Sequence, residues 1–320
     1  MTRAAHPDAA DGVAGAAAHA ARKVARHVRW ARTEGVGRLV EEDRLDPRER
    51  LRTAWAGARW RAAHGLPRGS ARPVYVVGLQ RSGTNMLLRG VDAAPEVEVR
   101  GEGDRRTMHR YRLRGEDAVV AAVGRSRSRV LLLKPLCDSQ HVDRLLDSPR
   151  LPGGRALWVY REPLARARSE VSKFGTSSLR ALQAVAAGDG GRTWQGERLS
   201  PASVELVRSF DPATSLSPLG AALVLWSVRN RLVAELGLDA RDDVALLSYD
   251  ALVADPAAEV QRLCEHVGLV PRPALWEHVE ARATHPPRVE AEPRAVALAE
   301  QVHAELAAAR GRRDATAAGR

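Results

Sequence analysis

"VYVVGLQRSGTNMLL", Val74 to Leu88, joins an apolar strand-forming run to a tight polar turn and then to a helix-forming run. Gly78 and Gly83 stand at the spacing of the nucleotide-hydrolase loop G-x-x-x-x-G-K-[ST], but Thr84 occupies the place of its lysine. The backbone N–H groups around Arg81, Ser82, Gly83 and Thr84 can still converge on one anion at the start of the helix, where the partial positive charge of the terminus adds to theirs. Arg81 contributes a fixed cation, and Ser82 and Thr84 contribute hydroxyl donors. The turn suits a diphosphate-like group.

Outward from this loop, "RVLLLK" (Arg129 to Lys134), "RALWVY" (Arg155 to Tyr160) and "VALLSY" (Val244 to Tyr249) are short apolar runs of the kind buried on both faces of a parallel sheet. Helical candidates separate them: Asn85 to Val91, Ser139 to Leu146, Leu164 to Val171, Leu219 to Leu236 and Ala257 to Val267. The alternation predicts a three-layer α/β/α domain with a central parallel sheet and a P-loop-like strand-loop-helix, its chemistry at the carboxyl ends of the strands. Gly175 to Pro218 is less regular. Within it "AAGDGGRTWQGE", Ala186 to Glu197, reads as an exposed loop suited to an acceptor-binding lid.

The 320 residues, 44% of them hydrophobic, suffice for one soluble globular domain with appendages, with room for two. A net charge of +11 favours anionic partners: a phosphorylated cofactor, an acidic glycan, a lipid surface or nucleic acid. Cys137 and Cys264 lie far apart without metal-ligand spacing, so free buried thiols in a reducing, cytoplasmic setting are expected. No stretch reaches the roughly 18 apolar residues that would span a bilayer. Residues 1–18 read as disordered and residues 19–70 as a basic helical extension. In that extension "AARKVARHVRWAR" (Ala20 to Arg32) suits either a solvated helix packed on the domain or contact with an anionic membrane surface. A second helix is signalled by Asp46 as N-cap, Pro47 at the first position and Glu49 completing a capping box, with Leu51, Trp55, Ala58 and Ala62 on one face. The main domain is placed at residues 71–308 and a basic flexible tail at 309–320.

Arg161 closes an apolar strand and so stands at the ligand-bearing edge of the sheet, with a planar donor fork suited to phosphate. Ser169, two helical turns on, can return to the same ligand. The plainer alternative pairs Arg161 with Glu162 or another carboxylate.

Taken together these motifs resemble the sulfotransferases that use 3′-phosphoadenosine-5′-phosphosulfate, most closely the protein-tyrosine and the bacterial glycan or small-molecule branches. Their 5′-phosphosulfate loop has a Pro-Arg-Ser-Gly-Thr-Thr core; here Gln80 and Asn85 flank an intact Arg81-Ser82-Gly83-Thr84. Their 3′-phosphate motif, a strand then arginine and later serine, is similar to "LWVYREPLARARSEVSKFG" with Arg161 and Ser169 in the matching places. "LLSYDALVADPAAEVQRLCEHVGL" resembles their terminal strand and helix. The resemblance implies the phosphosulfate as co-substrate, held by Arg81, Ser82, Gly83, Thr84, Asn85, Arg161 and Ser169, with no metal. It also implies a hydroxyl-bearing acceptor: glycan, lipid or small metabolite.

Such a transfer needs an anion clamp, positive charge at the moving group and a base for the hydroxyl. In several branches a Gly-Glu pair past the first loop supplies the base, and Gly101-Glu102 matches it; Asp104 and His109 are competitors. Lys134, at a strand end before Pro135, resembles the lysine set against the leaving group, a task that Arg81 can share. Glu102 and Lys134 are expected on opposite sides of the transferred group. Asp138 and Ser139 either orient Lys134 or, more simply, cap the next helix.

Two other classes remain. A P-loop kinase would want a loop lysine and a strand-ending aspartate for magnesium; Gly78 to Thr84 lacks the first, and neither the strand to Lys134 nor that to Tyr160 supplies the second. A nonenzymatic nucleic-acid-binding protein accounts for the charge, but no recognition helix or aromatic stacking platform accompanies it, so no specific nucleic acid is expected.

Overall fold

The computed structural model describes residues 47–281 and 291–318. The chain divides into Met1–Arg52 and Thr53–Arg320; sheet and site belong to the second unit. The expected disordered start, the basic helix Ala20 to Arg32 and the Asp46 cap lie outside the described residues.

After helix α1 (Pro47–His64) come β1 (Arg72–Gly78), α2 (Thr84–Asp92), β2 (Val97–Arg100), the small hairpin β3 (Met108–His109) and β4 (Arg112–Leu113), α3 (Glu116–Arg125) and β5 (Val130–Leu133). A 3₁₀ turn, Leu136–His141, leads to α4 (Val142–Leu146), β6 (Arg155–Tyr160), α5 (Pro163–Phe174), α6 (Ser177–Ala186), α7 (Pro201–Arg208), α8 (Pro218–Asn230) and α9 (Leu232–Glu235). The chain then forms β7 (Val244–Ser248), α10 (Tyr249–Ala254), α11 (Pro256–Val267) and α12 (Pro293–Ala318).

Five strands make one parallel sheet in the order β2-β5-β1-β6-β7. β1 lies at its centre, with the chain crossing first to one side and then to the other, so the loop after β1 opens at a topological switch point. Strand side chains alternate between two cores, as a period of two demands. Val74, Val76, Leu132, Leu157 and Val159 face α2 and α11, whereas Tyr75, Val77, Leu131, Leu133 and Trp158 face the layer of α3, α4, α5, α8 and α12. This is the three-layer α/β/α arrangement expected. The one buried polar demand of Trp158, its indole N–H, is met by Asn230 Oδ1 at 2.9 Å.

Local chemistry explains the helix starts. α5, α7, α8 and α11 each begin with proline behind a capping side chain: Glu162, Ser200, Ser217 and Asp255. Glu162 therefore serves as a cap, its carboxylate accepting from Leu164 N at 2.9 Å and Ala165 N at 2.6 Å, and is not the simple partner of Arg161.

Several expectations change. Gly175 to Pro218 contains α6 and α7, whose apolar residues Leu182, Val185 and Val207 enter the core. Glu197, expected on an exposed loop, is locked to Arg112 by two hydrogen bonds of 2.6 and 2.7 Å. β2, with its alternating charges in "VEVR", escapes a search for continuous apolar runs because it is an edge strand. On α1, Trp55 is 65% exposed. From Ala309, where a frayed tail was expected, α12 continues: Ala309 is buried, Arg310 Nη2 donates to Glu259 Oε2 at 2.5 Å, and Arg313 Nε donates to the Asp239 carbonyl at 3.0 Å. Among the described residues no helix is long and apolar enough to cross a membrane.

Candidate active site at the first loop

The turn after β1 is held in a shape that ordinary residues resist. Gly78 has φ 116, and a Cβ there would lie 2.3 Å from the Val159 carbonyl oxygen of the adjacent strand. Gly83, with φ 85, precedes α2 and packs so closely on Tyr249 that a Cβ would meet its ring at 2.0 Å. Between them Arg81 takes φ 70 without being glycine, a strained conformation of the sort retained at functional sites.

Neighbouring elements hold this loop. Arg81 Nε donates to Ser169 Oγ on α5 at 2.9 Å, and Arg161 Nη1 donates to the Arg81 carbonyl at 3.4 Å. The Arg161 guanidinium lies over the Tyr249 ring, 4.4 Å from its centroid. Arg81, Arg161 and Ser169, separated by up to 88 positions, thus meet at one corner of the loop. Ser82 Oγ and Arg161 Nε are buried without a hydrogen-bond partner. Buried donors in that state suit a ligand that accepts from them.

A second corner joins Glu102, Lys134 and Asn85. Lys134, just past β5 and 5% exposed, places Nζ 2.5 Å from Asn85 Oδ1 and 3.1 Å from Glu102 Oε2. Glu102 and Lys134, expected on opposite sides of the moving group, are therefore in direct contact. Asn85 takes one ammonium hydrogen, and Glu102 stands against the same charge as an ion pair. Asp104 is committed elsewhere: Arg100 Nη1 donates to it at 2.7 Å, and the N–H groups of Arg106 and Thr107 donate at 2.9 and 3.0 Å. Burial pushes its carboxyl up, but these bonds win and hold it below the usual carboxylate range. His109 is exposed on β3.

Asp138 neither caps the following turn nor orients Lys134. It accepts from Arg112 Nε at 2.9 Å and Leu113 N at 2.6 Å, anchoring the β3–β4 hairpin. Ser139 Oγ accepts from Gly78 N–H at 2.9 Å and donates to the Leu136 carbonyl at 2.8 Å, so it braces the first loop.

Beside the hairpin lies a half-buried polar cluster that the sequence reading missed. Glu197 accepts from Arg112 and from Gln140 Nε2 at 2.8 Å, with His141 Nε2 at 3.2 Å. Arg229, 1% exposed, donates to Gln140 Oε1 at 2.6 Å and the Glu197 carbonyl at 3.1 Å. Burial pushes the Glu197 carboxyl up, yet Arg112, Gln140 and His141 hold it at about 2. Both cysteines are free and buried. Among the described residues no group of His, Cys, Asp or Glu is arranged to hold a metal ion.

No model of a known protein family matches the chain, and no curated protein matches it. Among solved structures the chain is similar to the sulfotransferase domain from the Synechococcus PCC 7002 olefin synthase, at 16% identity and a TM-score of 0.35, over 73% of this chain and 88% of that one.

Proposed function

We propose that the protein transfers a sulfuryl group from 3′-phosphoadenosine-5′-phosphosulfate to a hydroxyl of an acceptor. The observation that carries this reading is the convergence, on one strained loop, of Arg81, Arg161 and Ser169 at one corner and Lys134, Glu102 and Asn85 at the other. The first set suits the two phosphate-bearing ends of an adenosine bisphosphate, and the unpartnered Ser82 Oγ and Arg161 Nε fit the same ligand.

The donor supplies an activated sulfur whose bond to the bridging oxygen breaks as the acceptor oxygen bonds to it. Lys134 donates an ammonium hydrogen not taken by Asn85 to that bridging oxygen, and Arg81 spreads the developing charge. Glu102 takes the hydroxyl proton. Its contact with Lys134 brings base and charge stabiliser together and leaves the carboxylate's second oxygen for the acceptor. Glycan, lipid and small-metabolite hydroxyls all meet these demands. The free thiols are consistent with a reducing, cytoplasmic setting.

Calorimetry with 3′-phosphoadenosine-5′-phosphate, AMP and ATP tests the reading. The bisphosphate should bind at least about tenfold more tightly than AMP, because a charge-assisted bond to its extra phosphate is worth roughly 1.5 to 3 kcal/mol. Equal affinities would sink the assignment. Tighter ATP binding would turn attention to the kinase reading.

A further inference from the structure

Helix α5 carries another arginine, to which the transfer reading gives no part. Arg166 is 1% exposed. Its Nε donates to the Gln80 carbonyl at 3.1 Å, and its Nη1 donates to the Ala222 carbonyl of α8 at 3.4 Å. Arg161 takes the next carbonyl of the loop, that of Arg81. These peptide bonds are trans, so each carbonyl points opposite to the N–H of the following residue. Capture of two successive carbonyls by two arginines therefore turns the N–H groups of Arg81 and Ser82 toward the other edge of the loop. Ser169, three residues after Arg166 on the same helix, fixes the Arg81 side chain. The strained Arg81 backbone is thus held on both sides.

A buried cation is costly unless compensated. Burial lowers Arg166 to about 10, with Glu170 opposing the fall, so the guanidinium stays protonated at neutral pH. Glu170, 4% exposed and one turn further along α5, is the nearby carboxylate; burial pushes it up and Arg166 pulls it down. Arg81 in turn works against the charge on Arg166, so two like charges flank the Gln80 peptide. An anion on the loop would relieve that repulsion.

We infer that Arg166 is a positioning residue: it fixes the Gln80 peptide from beneath, so that the loop presents its N–H groups to an anion. The inference rests on the loop's being the anion site, and it assigns the loop's shape to a residue outside it. Arg166→Met keeps the bulk and removes the donors, whereas Arg166→Lys keeps the charge with a single donor group.

Backbone amide order parameters from nitrogen-15 relaxation without ligand, followed through residues 79–86, are the first measurement. In Arg166→Met they should fall from the rigid range of about 0.85 to below about 0.6 in that segment, while the interiors of β1, α5 and α8 stay rigid. Arg166→Lys should fall between the two. Calorimetry with 3′-phosphoadenosine-5′-phosphate should show binding weakened by about tenfold or more in Arg166→Met and partly restored in Arg166→Lys. Unchanged loop order would overturn the inference, as would a loss of order spread evenly over α5 and α8, which marks a merely structural role. Should Arg166→Met not fold, loss of order confined to the loop in Arg166→Lys supports the inference and wild-type order there overturns it. Wild-type protein that fails to bind the bisphosphate would sink the sulfuryl-transfer reading alone, because the relaxation measurement uses no ligand.

Discussion

Lys134 Nζ and Glu102 Oε2 lie 3.1 Å apart, with Asn85 Oδ1 on the same ammonium. A base and a charge stabiliser in direct contact should behave as a unit, so changes at the two positions should not add. Glu102→Gln is expected to lower single-turnover transfer by about 10²-fold or more with nucleotide affinity little changed. Lys134→Ala should cost a similar factor, and the double variant far less than the product of the two. Near-wild-type transfer in Glu102→Gln would remove it as the base and leave His109 to be examined, since Asp104 is held by Arg100.

Arg161→Ala should weaken binding of the adenosine bisphosphate by roughly 2 kcal/mol, about 30-fold, through loss of charge-assisted bonds. AMP should lose less. Titration of both nucleotides against both proteins checks this, and equal losses for the two ligands would return Arg161 to bracing the loop.

Gly83→Ala combines a left-handed backbone with a Cβ 2.0 Å from the Tyr249 ring. It should destabilise the protein by about 2 kcal/mol or more in urea unfolding. Adding Tyr249→Ala opens the space but not the backbone, and it also removes the ring beneath Arg161. Stability should recover only in part, while nucleotide binding should not recover.

The strand-loop-helix and the arginine at the end of β6 were legible in the sequence because each is local: apolar runs, glycine spacing and a polar turn lie within a few residues. Glu102 and Lys134 could be singled out, but their contact could not, since it depends on β2 and β5 lying side by side. Arg166 was hidden by its neighbours. In "REPLARARSE" three arginines look alike, and only the packing of α5 against α8 separates the buried Arg166 from the exposed Arg168. The Glu197 cluster joins residues up to 89 positions apart, a relation that no periodicity records. Helices α6 and α7 went unread because turn-forming residues surround their short apolar stripes.

Acid should lower the protein's stability over two pH windows. Burial and the charge of Arg155 push the His266 imidazole from an ordinary 6.5 down to about 4, so the unfolded chain binds its proton first. The stability it contributes is whole above pH 6.5 and is lost as pH falls toward about 4. Glu197, held at about 2 against an ordinary 4.5, acts in the same direction over the lower window. Chemical denaturation at a series of pH values should therefore show His266→Gln flattening the first decline and Glu197→Gln the second. A wild-type stability that is level from pH 7 to pH 4 would contradict the first decline.

Glu197→Ala should also cost about 2 to 3 kcal/mol at neutral pH, because the buried Arg229 loses a compensating carboxylate and Arg112 keeps only Asp138. Urea unfolding of the two proteins gives the difference. A loss below about 0.5 kcal/mol, the range of ordinary surface changes, would mean that water or a shifted side chain replaces the carboxylate.

The last described helix has a consequence for how the protein is made. Every residue of α8 from Gly220 to Asn230 is buried, and Trp226 meets His303 of α12 edge to face at 6.1 Å. A ribosome finishes all the strands of the sheet before it reaches α12, so the nascent chain holds a completed sheet with part of one face still open to water. Until Ala295, Ala299, Val302 and Leu306 arrive to close that face, the unfinished domain carries exposed apolar surface of the kind that promotes aggregation.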